Sequence, residues 1–349
     1  MGRGLAEAVR GFFPGYFALV MATGIVSLAA HFCGLSGVAR VLLGINVAAY
    51  AVIWAITLAR LVLYPSAMRA DLTQHAKGAT FLTVVAGTCV LGSQLVILAS
   101  AQVSGFALWL LGLILWTLLL YTFFAAMTVA ETKPPLETGI NGAWLLTVVS
   151  TESLCVLGTL VAPGRPEQEA ILFVSLLAYL LGAMLYVLLM ALILYRWLFF
   201  SLAADKMTPP YWINMGALAI TTLAGSRLLL SAERWPFLRE LAPFVLGFTL
   251  FFWATATWWI PLLLLLGFWR HVLQRVPIAY DPQYWSLVFP LGMYAAATFM
   301  LEKATGLTLL RPIPPLVVYP ALVAWLLTFA GTLRALSRVV LGRRQAGGP

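Results

Sequence analysis

A single carboxylate stands in the middle of an apolar stretch of this sequence. Glu152 lies in the run Val148-Val-Ser-Thr-Glu-Ser-Leu154, inside a segment long enough to cross a membrane. An ionised carboxylate at that depth costs several kcal/mol unless it is paired or hydrated, so a neutral acid is favoured. A neutral acid could donate a hydrogen bond to an anion or carry the proton of a proton-coupled carrier. It could equally bond to a neighbouring helix, or pair with Arg227.

Hydroxyl and cationic side chains in the apolar segments could hold an anion. Hydroxyl groups can replace part of an anion's hydration shell, although serine and threonine also bond their own helix backbone. Arg227, near the end of its segment, could attract anions to the mouth of a passage or extend to the membrane interface. Lys303 and Arg311 have the same two interpretations. The candidate pore-lining residues are Phe17, Thr23, Thr88, Ser150, Thr151, Glu152 and Thr222.

A phenylalanine precedes a proline inside another apolar segment, at Phe289-Pro290. Proline removes a backbone donor and kinks a helix. Irregular backbone at membrane depth is tolerated where it is buried in protein or lines a cavity. An aromatic ring at such a kink can close a narrow pore by steric hindrance and dewetting. Ordinary aromatic packing is the alternative interpretation.

The composition indicates what kind of protein positions these residues. Of the 349 residues, 62% are hydrophobic and 9% are charged, whereas about a quarter of a soluble domain is charged. A soluble domain is therefore excluded, and so is a disordered chain, which would lack the apolar residues. A spanning helix needs roughly 20 apolar residues. Ten such segments are predicted, at about 12–34, 38–63, 79–101, 104–130, 142–163, 169–199, 211–230, 241–268, 284–305 and 315–337.

The ten segments pair into five helical hairpins, whose starting points recur at the near-constant interval that is typical of an internal repeat. The first helix of each hairpin is rich in small residues and the second is rich in leucine. Small residues let helices pack closely or line a narrow passage, and leucine suits lipid. The small-residue helices could therefore either surround a central pore or pack tightly without one. The predicted fold is all-α, one polytopic transmembrane domain over residues 1–349 with hairpins at about 12–63, 79–130, 142–199, 211–268 and 284–337.

The basic residues predict the orientation in the membrane. With ten spans, two thirds of the 21 Lys and Arg residues lie on the side of both termini, so the positive-inside rule places both termini in the cytoplasm. A short basic segment runs straight into the first span, and no cleavable signal is expected. The net charge of +9 thus indicates membrane orientation rather than nucleic-acid binding.

Three motifs resemble one known family. Phe13-Pro-Gly-Tyr-Phe17, followed by Met21-Ala-Thr-Gly-Ile-Val-Ser27, is similar to the first helix of the tellurite-resistance/dicarboxylate transporter family, with Ala22 in place of a family glycine. Asn141-Gly-Ala-Trp144 and Trp285-Ser-Leu-Val-Phe289-Pro290 resemble the starts of its fifth and ninth helices. The family includes bacterial tellurite-resistance permeases, fungal malate and sulfite transporters and plant slow anion channels.

The resemblance implies a quasi-five-fold ring of hairpins around a central pore, and a homotrimer with one pore per subunit in the cell (inner) membrane. It implies passage of small inorganic or organic anions, with Phe289 and Pro290 at the gate. Chloride, nitrate, sulfite and C4-dicarboxylates such as malate all stay open as cargo. An anion channel and a proton-coupled dicarboxylate or sulfite carrier are both open as modes of transport.

Other classes of function have less support in the sequence. The three histidines, His31, His75 and His271, are scattered along the sequence. The three cysteines, Cys33, Cys89 and Cys155, lie inside apolar runs and form no CxxC pair. No HExxH motif and no phosphate-binding glycine-rich loop occurs. We therefore predict no catalytic residue, no metal site and no cofactor, with a membrane-embedded enzyme as a distant alternative. The short loops offer little surface to the partners of a receptor or scaffold.

Overall fold

A computed structural model of the chain describes residues 3–345, and the side chains of residues 6–337. All regular secondary structure in that part of the chain is helical. Ten helical stretches in it are long and apolar enough to cross a membrane, which confirms the prediction of ten spans. These stretches are Pro14–Phe32, Ser36–Leu63, Gly78–Ala99, Gln102–Val129, Gly142–Val161, Gln168–Phe199, Pro209–Arg234, Pro236–Leu273, Pro282–Thr305 and Thr308–Ser337.

The largest differences from the predicted bounds are at the start of the tenth span and at both ends of the eighth. The eighth begins at Pro236, because proline suits the first position of a helix and the helix then continues through the polar pair Arg239-Glu240. The tenth begins with a short 3₁₀ turn at Thr308. The extensions are helical, but each contains an arginine, Arg239, Arg270 or Arg311, so hydropathy alone did not include them.

The α-helices are numbered in chain order. They are α1 (Arg3–Arg10), α2 (Phe17–Phe32), α3 (Ser36–Leu63), α4 (Pro65–Leu72), α5 (Thr83–Ala99), α6 (Gln102–Val129), α7 (Leu136–Gly139), α8 (Leu146–Val161), α9 (Gln168–Phe199), α10 (Ile213–Ser231), α11 (Pro236–Phe268), α12 (Trp285–Thr305) and α13 (Ile313–Gln345). Below, α2, α5, α8, α10 and α12 are called the inner helices, and α3, α6, α9, α11 and α13 the outer helices.

Each inner helix is preceded by a 3₁₀ turn that starts with proline or glycine. In two of these turns a polar side chain caps the first residues. The Asn141 side-chain oxygen Oδ1 accepts from the Ala143 amide at 2.8 Å, and an Asp281 carboxylate oxygen accepts from the Gln283 amide at 2.7 Å. This shared start supports the repeat of five hairpins. The turns are Pro14–Tyr16, Gly78–Leu82, Gly142–Leu145, Pro209–Trp212 and Pro282–Tyr284.

Burial separates the inner helices from the outer ones. Between 78% and 89% of the residues in the most apolar part of each inner span are buried, against 17% to 22% for four of the outer spans. The inner helices contact one another in cyclic order, from α2 to α5, α8, α10, α12 and back to α2. Small residues thus lie in the interior and leucine-rich faces point outwards, as their composition favours.

The outer helix α9 is more buried than its counterparts, at 56%. Two of its tyrosines bond to the next outer helix, α11. The Tyr179 hydroxyl is 3.0 Å from the Thr249 hydroxyl, and the Tyr186 hydroxyl accepts from the Trp259 indole at 3.0 Å. Buried Tyr and Trp side chains usually need such a partner, so these bonds tie the third and fourth hairpins together.

Candidate functional site

Three cavities follow one another along the inner helices. The N-end cavity, of about 720 Å³, lies at the 3₁₀ turns, and the C-end cavity, of about 380 Å³, lies at the opposite ends of the same helices. Between them is a middle cavity of about 20 Å³. Every one of the five inner helices or its 3₁₀ turn contributes side chains to each cavity. The middle cavity is lined by Ile25, Leu28, Cys89, Val90, Ser93, Ser153, Val156, Ile220, Leu223 and Met293.

Phe289 lies between two of these cavities on α12. Ser286 lines the N-end cavity and Met293 lines the middle cavity. Residues three and four apart share one face of a helix, so Phe289 is on the face that connects them, and its side chain is fully buried. Pro290 has no backbone N–H to bond the Ser286 carbonyl. A Cβ atom on Gly216 would lie 2.7 Å from the Pro290 Cγ atom, so α10 packs closely against α12 at this level.

The C-end cavity is lined by three cationic side chains, Arg227, Arg234 and Lys303. No carboxylate is among the described side chains that line it. The Arg227 Nε atom donates to the Thr159 hydroxyl at 3.5 Å, and the Lys303 ammonium lies 5.0 Å from the centre of the Phe299 ring. Clustered charges of one sign in a partly enclosed cavity raise the local concentration of the opposite ion. The cavity is therefore electrostatically suited to anions, and the structure places Arg227 in its wall.

The N-end cavity also has more cationic than acidic side chains in its lining. Lys77, Arg196 and Lys206 line it together with one acidic side chain, Glu137. The Arg196 Nε atom donates to the backbone carbonyl of Glu137 at 2.6 Å, so this bond does not use the carboxylate. The Lys77 ammonium donates to Asp71 at 3.1 Å. Both ends of the inner bundle thus present more positive than negative side chains.

Three of the threonine hydroxyl groups predicted to line a pore bond to side chains of the outer helices instead. Thr23 accepts from the Trp325 indole at 2.9 Å, and Thr151 accepts from the Trp116 indole at 2.8 Å. The Thr88 hydroxyl is 2.9 Å from that of Tyr50. All three aromatic partners belong to outer helices, so these threonines face outwards from the inner bundle rather than into the three cavities.

The remaining candidates are buried within helix packing. Ser150 and Thr222 bond carbonyls of their own helices, at 3.0 Å and 2.9 Å, and the Phe17 ring packs edge-on against Tyr50 and Trp54 of α3. Sequence reasoning missed the polar residues that do line the cavities, because one sequence with apolar residues on every face does not set the helix rotation. A signal was available in the outer-helix Trp and Tyr residues, whose buried polar atoms need partners. The missed residues include Thr83, Ser93, Ser153, Thr159, Ser231 and Ser286.

Glu152 is fully buried and faces the outer helix α9. A Cβ atom on Gly182 of α9 would lie 2.7 Å from the Glu152 Cδ atom and 2.9 Å from its Cγ atom. Within the described residues, neither carboxylate oxygen has a hydrogen-bond partner, and no ion pair joins Glu152 to Arg227. The next residue, Ser153, lines the middle cavity. Glu152 therefore lies behind the wall of that cavity. The described residues show neither the ion pair with Arg227 nor a hydrogen bond from the carboxyl group to a neighbouring helix.

Comparison with known proteins identifies the group to which these features belong. The family model of SLAC1, the voltage-dependent anion channels, matches residues 11–333. The chain belongs to this family. This membership confirms the family that the sequence motifs predicted, and it makes the chain an anion transporter or channel by family.

Individual relatives of this SLAC1 family member cover much or most of the chain. An uncharacterized membrane protein of Mycobacterium tuberculosis is 38% identical over 156 residues, which are 45% of this chain and 79% of the relative. An uncharacterized transporter of Methanocaldococcus jannaschii is 23% identical over 305 residues, 85% of this chain and 87% of the relative. A sulfite efflux pump of Trichophyton rubrum is 26% identical over 322 residues, 85% and 83% of the two chains.

Proposed function

We propose that the five inner helices form a quasi-five-fold ring around a pore that conducts small anions, and that Phe289 closes this pore. The observation that carries the proposal is the succession of three cavities, each lined by all five inner helices or the turns that precede them. Phe289 is buried on the face of α12 between the N-end and middle cavities. A ring at that level blocks a narrow passage by steric hindrance and dewetting.

The proposed cargo is a small anion, with sulfite as the first one to test. The cationic side chains at both ends favour negative cargo, and Arg227 adds a planar guanidinium that pairs well with oxyanions. Relatives that are sulfite efflux pumps support sulfite in particular. Chloride, nitrate and C4-dicarboxylates are the anions to compare with it.

The proposed assembly is a homotrimer in the cell (inner) membrane, with one pore per subunit. Each subunit is one transmembrane unit with both termini in the cytoplasm. The excess of basic residues on the terminal side supports the orientation, and the family resemblance supports the trimer. With this orientation, the N-end cavity opens to the cytoplasm.

The test is electrical recording from the protein in planar bilayers. Wild type and Phe289→Ala are compared under asymmetric chloride, nitrate, sulfite and malate. The matched control is Phe251→Ala, because the Phe251 ring on α11 is 53% exposed. We expect a large anion-selective current from Phe289→Ala and little from wild type and Phe251→Ala. If none of the three proteins carries a current although its insertion into the bilayer is verified, the gate assignment is refuted.

A second candidate function, a proton-coupled anion carrier, is favoured by the burial of Glu152. Its carboxyl group forms no ion pair among the described residues and is fully buried, which favours the neutral, protonated acid. The proton on this acid is the one that a coupled carrier would exchange. The test is sulfite or malate flux into proteoliposomes with and without a pH gradient. A carrier predicts flux that the gradient accelerates in wild type and not in Glu152→Gln. If the wild-type flux does not depend on the pH gradient, this candidate function is rejected.

A further inference from the structure

A groove of about 360 Å³ lies outside the inner bundle, between the outer helices α3 and α6. Trp54 and Leu61 of α3 form one wall, and Leu115 and Leu119 of α6 form the other. Phe81, in the turn before α5, lies at its floor. Four fifths of the residues in the apolar parts of α3 and α6 are not buried within the protein, so the groove opens towards the membrane.

The short helix α4 closes the groove at the N-terminal end of the bundle and brings cations to it. Arg60 and Arg69 both line the groove there. Arg60 is already occupied, because it is 2.5 Å from an Asp71 oxygen and donates to the backbone carbonyl of Arg10 at 3.0 Å. Arg69 is exposed, and no described carboxylate lies within 4 Å of it. Arg10, at the end of α1, is exposed as well and does not itself line the groove. Its backbone carbonyl accepts the bond from Arg60, so Arg10 lies beside the cationic end of the groove.

The groove therefore combines an apolar trough at membrane depth with cationic groups at one end. An acyl chain fits the leucine and aromatic walls, and a phosphate group fits the guanidinium of Arg69 by charge and by geometry. The acyl chain gains little over bulk lipid, because lipid tails are as apolar as leucine. Preference for one lipid over another must then come from the headgroup, and basic pockets between spanning helices select anionic headgroups.

We propose that this groove binds an anionic phospholipid, with one acyl chain between α3 and α6 and its phosphate on Arg69 and Arg10. A neutral phospholipid can place the same acyl chain there but lacks the net negative charge. Each basic residue near an anionic headgroup contributes about 1 kcal/mol, so Arg69→Gln is expected to weaken binding about fivefold. Adding Arg10→Gln is expected to weaken it further in the same direction.

The first experiment measures headgroup preference with the full chain in detergent. Native mass spectrometry compares the binding of dioleoyl phosphatidylglycerol with that of dioleoyl phosphatidylcholine. The matched control is Arg334→Gln, which removes an exposed arginine of α13 outside the groove. We expect wild type and the control to prefer phosphatidylglycerol, and Arg69→Gln with Arg10→Gln to lose that preference. Equal affinity of wild type for both lipids would overturn the proposal.

The second experiment locates the lipid through the indole of Trp54, which lines the groove. Phospholipids with brominated acyl chains quench nearby tryptophans, and the difference between wild type and Trp54→Phe isolates Trp54. Trp258, 55% exposed on α11, serves as the control through Trp258→Phe. We expect Trp54 to be quenched at a lower mole fraction of phosphatidylglycerol than of phosphatidylcholine, and Trp258 to show no such difference.

Two further outcomes would contradict the assignment. Bound phosphatidylglycerol without preferential quenching of Trp54 would place the lipid elsewhere on the protein. The other outcome combines two results: no brominated lipid quenches Trp54, and Arg69→Gln changes the oligomeric state. Together they would mean that a second copy of the chain covers the groove. Both results are independent of anion conduction, because none of the substituted residues lines the three cavities.

Discussion

Replacing Gly182 with alanine puts a methyl group into space that the Glu152 side chain occupies. The added Cβ atom would lie 2.7 Å from Cδ and 2.9 Å from Cγ of Glu152, well inside ordinary carbon–carbon contact. Both residues are buried between α8 and α9, so the side chain has little room to move. Overpacking of this kind typically costs about 1–3 kcal/mol, and alanine returns up to about 1 kcal/mol of helix propensity. We expect Gly182→Ala to destabilise the protein by about 1–2 kcal/mol.

A double-mutant cycle tests the origin of that cost. Glu152→Ala removes the atoms that the new methyl group would meet, so Gly182→Ala should cost nothing, or stabilise slightly, in that background. Contacting residues show coupling energies of about 0.5–3 kcal/mol. Thermal unfolding of the four proteins in detergent micelles, followed by circular dichroism, measures the coupling. Gly247→Ala in α11 is the matched control, because a Cβ atom there meets no other atom within 4 Å, and its effect is subtracted as the propensity contribution.

An equal cost of Gly182→Ala in both backgrounds would refute this reasoning. It would mean that the Glu152 carboxyl group does not lie against α9. The pore-lining position that the sequence suggested for Glu152 would then regain its support.

Two other predictions concern charged residues. Burial raises the pKa of Asp71, but hydrogen bonds from Arg60 and Lys77 outweigh it and hold the pKa below its usual value. Asp71→Asn should therefore destabilise the protein by about 1–3 kcal/mol at neutral pH. The difference in free energy of unfolding between wild type and Asp71→Asn should have its full size above about pH 3.9, the pKa of the group in the unfolded chain. It should disappear as the pH falls through the lower pKa that Asp71 has in the folded protein. Thermal unfolding against pH measures it, and a difference that persists in acid would contradict the assignment. Arg227→Gln in a Phe289→Ala background should lower single-channel anion conductance, more at low than at high salt because salt screens the charge. Arg227→Lys should keep most of the conductance, and an unchanged conductance of Arg227→Gln at low salt would contradict the electrostatic role.

The ten spans and the inner and outer classes of helix could be predicted because hydropathy and residue size act along whole segments. The direction of a single side chain depends on helix rotation, which a segment that is apolar on every face does not reveal. Thr23 and Thr151 illustrate this limit, since each bonds a tryptophan that is distant in sequence. Arg227 was easier to place, because a charge at the end of an apolar segment must find an interface or a wet cavity. Glu152 was recognised as unusual, but its position against α9 depends on Gly182, thirty residues away.

The 3₁₀ turns that precede the five inner helices all lie at one end of the bundle, so these helices run parallel. Each helix carries a macrodipole equivalent to about half a positive charge at its N-terminus and half a negative charge at its C-terminus. Summed over five helices, this gives about +2.5 charges at the N-end cavity and about −2.5 at the C-end cavity. The backbone alone would therefore attract anions at one end and repel them at the other. Arg227, Arg234 and Lys303 supply enough positive charge to reverse that repulsion, which accounts for a C-end cavity lined by cations without a carboxylate among its described side chains.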